Sequence, residues 1–296
     1  MTSFNLKKIR NGFEFAIFTM PLIAVIMIAT GIPFIMNAFY SFMDWNGISK
    51  RSDFVGLANF IELFTEDTNA ISAFIFTFRF SILHVILVNA AALLLALLLD
   101  REIKTRNALR AAFYIPQIVS LVVIGFIWKF VLTRGFEAFY EMTRLEIFQW
   151  SWLGDANLAF YSILAMSIWQ SIGFFMVIYI AGLQAIPQEY MEAATIDGAN
   201  GWLRFRKITI PLLMPAVTSS VFFATLGSLK VFDMILTLTN GGPGRSTMSI
   251  AYDIYLEAFV NNRYGYGTAK SLVFFIIVLI ITRIQVKFFK SREVEV

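Results

Sequence analysis

Ser167, Gln170, Ser171 and Phe174 recur at i, i+3, i+4 and i+7, which places them on one face of a helix. Two hydroxyls and a carboxamide can donate to and accept from a ligand rich in hydroxyls, and a phenyl ring offers it an apolar face. Gly227, Ser228 and Val231 form a second small and polar group further along the chain. Lys230 and Asp233, three residues apart, could pair with each other or meet a ligand. All of this is binding chemistry. With 1 His and 0 Cys the chain offers neither a thiol nucleophile nor a histidine-rich or cysteine metal site. No cluster of acids, bases and nucleophiles shares one depth, as an embedded enzyme would need. The run Asn240-Gly241-Gly242-Pro243-Gly244 is no phosphate cradle, because no Lys-Ser/Thr stands at the required distance.

The elements that must position these groups are apolar helices. Of 296 residues, 58% are hydrophobic and 15% charged, against roughly a quarter charged in soluble domains. Mean hydropathy is +0.71. Thirty-two phenylalanines suit lipid-facing surfaces and interfacial belts. A span needs about 20 mostly apolar residues, and six such runs are expected, at 13–41, 72–99, 111–132, 157–183, 211–238 and 268–289. The last has a short apolar core, with Arg283 and Lys287 reaching to the interface. The expected class is an all-α integral membrane protein, one transmembrane domain over 1–296. The first run exceeds a signal-peptide core of about 7–15 residues, so it is expected to stay as a span.

Charge sets the orientation. Fourteen Lys and Arg lie at the N-terminus, the second and fourth connections and the tail, against six in the other three connections. Both termini are therefore expected in the cytoplasm. This places the connection 184–210 there too. Within it Pro187 fits a first helical turn, Glu189 and Glu192 favour the N-terminal half, and Gly198 fits a stop. Trp202 through Ile208 would form a second short helix, giving two helices nearly at right angles along the membrane surface. An ordinary amphipathic loop with a capping glycine would read similarly. On the outer side, Trp45-Asn46-Gly47 signals a turn, FVGLANFIELF a short amphipathic helix, and Phe148, Trp150 and Trp152 an interfacial aromatic cluster.

The loop pattern is more specific than its parts. Glu192-Ala193-Ala194, then Asp197-Gly198, then Ile208 and Pro211, resembles the cytoplasmic loop of permease subunits in binding-protein-dependent ABC importers. Ile210 stands where that pattern has Leu. LKVFDMILTLTNGGPGRST at 229–247, FVGLANF at 54–60 and YGYGTAKS at 264–271 resemble the sugar-uptake branch, in particular the subunit like the larger maltose permease. The similarity covers nearly the whole chain. It implies a type I importer permease fold in a bacterial or archaeal plasma membrane. It also implies that Glu192, Ala193, Ala194, Asp197, Gly198, Ile208 and Pro211 couple the chain to an ATPase. The partner permease of this branch carries Trp-Asn-Glu-Phe where this chain has Lys-Val-Phe-Asp, which implies a heterodimer.

The implied assembly has a second homologous permease, two ATPase subunits that bind ATP and Mg, an external sugar-binding protein and surrounding lipid, with no nucleic acid. This chain would bind no cofactor or metal and do no chemistry. Ser167, Gln170, Ser171, Phe174, Gly227, Ser228 and Val231 coincide with positions that line the sugar site in the family. Identities differ at several of them, so a di- or oligosaccharide is implied rather than maltose. Small and polar residues also pack helices together in membranes, so the stripe carries either reading. A glycerol phosphate or polyol importer is the nearest alternative, and phosphate would favour Arg in the cavity. A secondary transporter would need ionisable residues at mid-bilayer or inverted repeats. His84 is mid-span without acidic neighbours and reads as a packing histidine; Arg79 and Lys129 read as snorkelling cations.

Overall fold

A computed structural model describes residues 17–293 apart from Glu102. The expected residues 13–16 of the first span, and the N-terminal Lys7, Lys8 and Arg10, lie outside the described residues. The fold is helical with one two-residue β-bridge. It divides into two compact units, the described part of Met1–Glu66 with Ile254–Val273, and Asp67–Asp253 with the described part of Phe274–Val296.

In the first unit, helix α1 (Ile17–Tyr40) is exposed over nearly its whole length. The Trp45-Asn46-Gly47 turn forms, with Gly47 at φ +82°, between strands β1 (Met43–Asp44) and β2 (Asp53–Phe54). Helix α2 (Ala58–Thr65) is the expected amphipathic segment. Its Asn59 amide donates to the carbonyls of Ser41 and Met43, each at 3.0 Å. The Trp45 ring stacks on Tyr40 at 4.4 Å and meets the edge of Tyr264 at 5.2 Å. Arg263 grips both carboxylate oxygens of Glu62 at 2.6 and 2.7 Å, and the fully buried Lys270 ammonium lies 3.6 Å from Glu257.

The second unit holds α3 (Thr68–Leu99), α4 (Arg106–Ile118), α5 (Leu121–Thr143), α6 (Ala156–Gln184), α7 (Gln188–Ile196), α8 (Gly201–Leu212), α9 (Met214–Leu229) and α10 (Asp233–Leu238). Helix α11 (Ile250–Tyr255) begins in it, and α12 (Tyr264–Lys290) ends in it. Val88, Ala92, Ala96 and Leu99 make one stripe along α3 and pack against Phe175, Met176, Tyr179 and Ile180 of α6. Small residues at such a seam let helices approach in lipid, where water gives no drive to associate. Gly173 serves the same end: a Cβ there would collide with the backbone of Phe113 and Tyr114, so α4 lies directly on α6.

Among the described residues four helices are long and apolar enough to cross a membrane: α1, α3, α6 and α12. The other two expected spans are bent pairs. The apolar run 111–132 breaks at Val119–Ser120, where α4 and α5 meet at 97°. Pro116 removes a helical donor just before the break, and Val119 and Ser120 are extended (ψ 140° and 130°). The run 211–238 is also not one helix. It bends by 65° at Leu213, where Pro215 starts the new helix, and breaks again at Lys230–Phe232. The Val231 carbonyl freed there accepts from Ser249 Oγ at 2.7 Å.

Candidate functional site

The two sequence groups converge. Ser167, Gln170, Ser171 and Phe174 of α6 line one cavity of about 320 Å³ with Gly227, Ser228 and Val231 of the α9 end and with Lys230 and Asp233. All of it lies in the second unit, and the volume falls within the range of about 300–1,000 Å³ usual for ligand sites. The convergence follows from α6 and α9 both packing on α3 and on each other; after the break at Lys230–Phe232, α10 packs chiefly on α5 and also meets α6.

The groups differ in what they have to spare. Gln170 is buried against the cavity and makes no side-chain hydrogen bond among the described residues, which leaves its amide available to a ligand. The Ser171 hydroxyl donates to the Ser167 carbonyl at 2.7 Å and lies 3.3 Å from His84 Nε2. Ser228 is largely committed: it donates to the Ala224 carbonyl at 2.7 Å and lies 2.7 Å from the Ser81 hydroxyl. Phe174 stands edge-on to Phe223 at 6.0 Å, and both rings line the cavity.

Two cavity residues escape the sequence reading. His84 is more than a packing residue: it lines the cavity, and its Nδ1 is buried with no partner. Gln117, beside the α4–α5 break, lines the same cavity with a buried and unpartnered Oε1. Pro116 and Ser120 signal the break that brings Gln117 inward; no sequence spacing points to His84. Arg79 is exposed, and its guanidinium stands 4.3 Å over the ring of Phe160, near the start of α6. Of the two readings left open for Lys230 and Asp233, the local pair does not form, because the i, i+3 geometry requires an unbroken helix and α9 stops at Leu229; both residues line the cavity instead. Among the described residues no arginine lines the cavity.

The expected second constellation is the segment α7–α8. Pro187 is the N-cap of α7 rather than part of its first turn. Gly198 has φ +73°, and its N–H and that of Ala199 bond to the carbonyls of Thr195 (3.1 Å) and Ala194 (2.9 Å). That is the double bond pattern of a glycine-terminated helix. Asn200 then starts α8 by accepting from Leu203 N at 2.8 Å. Glu192, Ala193, Asp197 and Gly198 are exposed, Ile208 and Pro211 half-buried and Ala194 buried. Ile196 is 87% and Trp202 69% exposed, which leaves apolar side chains uncovered beside the glycine turn.

Similar proteins give this arrangement its place. The starch degradation products transport system permease protein AmyD of Thermoanaerobacterium thermosulfurigenes, a probable assignment, is 39% identical over 291 residues, 98% of each chain. The sn-glycerol-3-phosphate transport system permease protein UgpA of Rhizobium meliloti is 35% identical over 243 residues, 82% of this chain and 83% of the relative. The fold is similar to a chain in the crystal structure of a bacterial alginate ABC transporter in complex with alginate pentasaccharide-bound periplasmic protein. That match has a TM-score of 0.79 at 21% identity over 94% of each chain. Residues 89–293 match the family described as binding-protein-dependent transport system inner membrane component. The chain belongs to that family and is a membrane permease subunit of an ABC importer, not an enzyme.

Proposed function

We propose that this chain forms one half of the membrane channel of an ATP-driven sugar importer, with six spans and both termini in the cytoplasm. A second, homologous permease would supply the other half, and two ATPase subunits would bind ATP and Mg. An external binding protein would deliver a di- or oligosaccharide. The excess of Lys and Arg in the N-terminus, the second and fourth connections and the tail supports the orientation. Two of the six spans would then be the bent pairs α4–α5 and α8–α9.

The observation that carries the substrate reading is the cavity. Gln170 and Ser171 would hydrogen-bond sugar hydroxyls and Phe174 would stack on a ring face, while His84 Nδ1 and Gln117 Oε1 remain buried and unpartnered on its wall. A phosphorylated solute, carried by one relative, would call for guanidinium groups there. No arginine lines the cavity, and that favours a neutral sugar. On the cytoplasmic side α7 would dock in the ATPase through its exposed turn, with Glu192, Ala193, Ala194, Asp197, Gly198, Ile208 and Pro211 as the coupling set. Closure of the ATPases on ATP would move α7 and so switch the access of the spans. Copurification from mild detergent tests the assembly: a second permease and an ATPase should come with the tagged chain. A lone chain that still transports after reconstitution overturns the reading.

A further inference from the structure

A second cavity, of about 520 Å³, lies where the chain returns from α5 to α6. Helix α5 ends because Arg144 takes a left-handed conformation (φ 58°) and turns the chain back. A tight helical turn, Glu146–Gln149, follows, and Asp155 caps α6 by accepting from Asn157 N and Leu158 N at 2.9 Å each. The return is anchored throughout. Phe148 packs against Phe136 at 5.1 Å and Phe139 at 5.7 Å. Trp152 Nε1 donates to the Ile147 carbonyl at 2.9 Å, and Ser162 Oγ donates to the Trp152 carbonyl at 3.2 Å.

This frame holds a mixed wall. Trp150 and Trp152 stand 5.9 Å apart with planes tilted by 33°, and Trp150 is 51% exposed. Trp150, Glu141 and Gln149 all line the cavity, and their indole N–H, carboxylate and amide make no hydrogen bond among the described residues. A membrane-interface role accounts for the aromatic rings. It does not account for a concave pocket with unspent carboxylate and amide groups beside them.

The lining carries two carboxylates, Glu137 and Glu141, and one guanidinium, Arg144. Glu137 pairs at 3.3 Å with Arg134, which stands outside the lining, and the Arg144 guanidinium lies 5.7 Å over the Tyr140 ring, leaving Glu141 to offset it. Each charge on the wall thus has a counter-charge, so no unopposed charge selects an anion or a cation. A neutral ligand with many hydroxyls and an apolar ring face fits both sides of the wall.

We propose that this pocket is a second saccharide site, in which a sugar ring lies on Trp150 and its hydroxyls donate to Glu141 and accept from Gln149 and Arg144. This rests on the sugar-importer reading above. In the proposed orientation the pocket opens on the outer side, so it would hold sugar before entry to the cavity at Gln170.

The test is calorimetric titration of the intact importer complex in lipid nanodiscs with maltotriose, in the absence of the soluble binding protein. A Gln170→Ala background weakens binding at the inner cavity about tenfold and leaves an outer site at its original affinity, which tells the two apart. In that background saturable maltotriose binding should persist. Adding Trp150→Ala should weaken it about tenfold, as for an aromatic anchor, and Glu141→Gln, which keeps size and shape, about threefold. Binding abolished by Gln170→Ala alone, or left unchanged by both Trp150→Ala and Glu141→Gln, overturns the outer site. Uptake of maltotriose and other neutral oligosaccharides by the same complex is measured in parallel. A complex that imports sugar but shows no second binding event overturns the outer site alone. One that imports none overturns the sugar reading and the outer site with it.

Discussion

The Tyr179 phenol donates to Asn89 Oδ1 at 2.8 Å, joining α6 to α3 in the middle of the apolar seam. Ser220 of α9 donates to the same oxygen at 2.6 Å, and Asn89 Nδ2 donates to the Val85 carbonyl at 2.7 Å. One side-chain amide thus ties three helices at a single point, and its orientation is fixed by its own helix.

Removing the hub should therefore hurt more than removing a spoke. Tyr179→Phe loses one hydrogen bond and leaves Asn89 with Ser220, for a cost of about 1 kcal/mol. Asn89→Leu strands two hydroxyls away from water and should cost about twice that. Thermal denaturation of the purified complex checks the order. A larger fall in Tm for Tyr179→Phe than for Asn89→Leu would remove Asn89 from the centre of the contact.

At the cavity, Gln170→Ala should raise the KM for sugar uptake about tenfold, equivalent to ~1.4 kcal/mol, while the complex assembles normally. Ser228→Ala should act differently. Its hydroxyl is bonded to Ala224 and Ser81, so the loss should show mainly in stability. Uptake kinetics unchanged by Gln170→Ala across a panel of oligosaccharides would place substrate elsewhere.

Gly198 separates two reasons for wanting glycine. A Cβ at that position would meet nothing within 4 Å, yet φ is +73°. The demand is on backbone conformation, not on space. Gly198→Asn, which tolerates the left-handed region, should retain most transport. Gly198→Val should distort the turn and leave ATP hydrolysis uncoupled from uptake. Normal sugar uptake by Gly198→Val would sink the coupling role of the turn.

Two of the ion pairs in the first unit, Arg263–Glu62 and Lys270–Glu257, should respond unequally. Arg263 and Glu62 are partly exposed, so Glu62→Gln should cost less than about 1 kcal/mol. Glu257→Ala removes a carboxylate facing the fully buried Lys270 and should cost on the order of 3 kcal/mol. Burial works against the Arg263 charge, but the hydrogen bond and charge of Glu62, with Glu257, raise its pKa above the ordinary arginine value. A raised folded value keeps its contribution present below the ordinary range and loses it only at still higher pH. Between about pH 5 and 9 no stability change should therefore trace to Arg263. Tm measurements on the two variants across that range test both points.

How much was legible depended on whether the signal was local. The fourth span was expected at 157–183 and forms at Ala156–Gln184, because its apolar run has Asp155 as a cap in front. Gly198 was legible because a helix stop needs only its neighbours. The α4–α5 break had a local signal in Pro116 and Ser120, but its 97° turn was not legible, since the apolar run 111–132 continues through it and periodicity carries no information on direction. For Lys230 and Asp233 the sequence left a local pair and a ligand contact both open, and only the helix break excludes the pair: spacing implies one only while the helix continues. His84 Nδ1 and the Lys270–Glu257 pair depend on what lies opposite in space, which no single stretch of chain records.

The corner at Val119–Ser120 bears on how the chain survives before assembly. Ser120 gives α5 no side-chain cap, and the flanking Ile118, Val119 and Leu121 are exposed. If the pair crosses a bilayer, bare peptide groups at that corner cannot face hydrocarbon and must meet protein or water. A copy inserted without its neighbours would carry an unsolvated seam into the lipid. The corner thus ties the fate of the chain in the bilayer to whatever protein or water covers it.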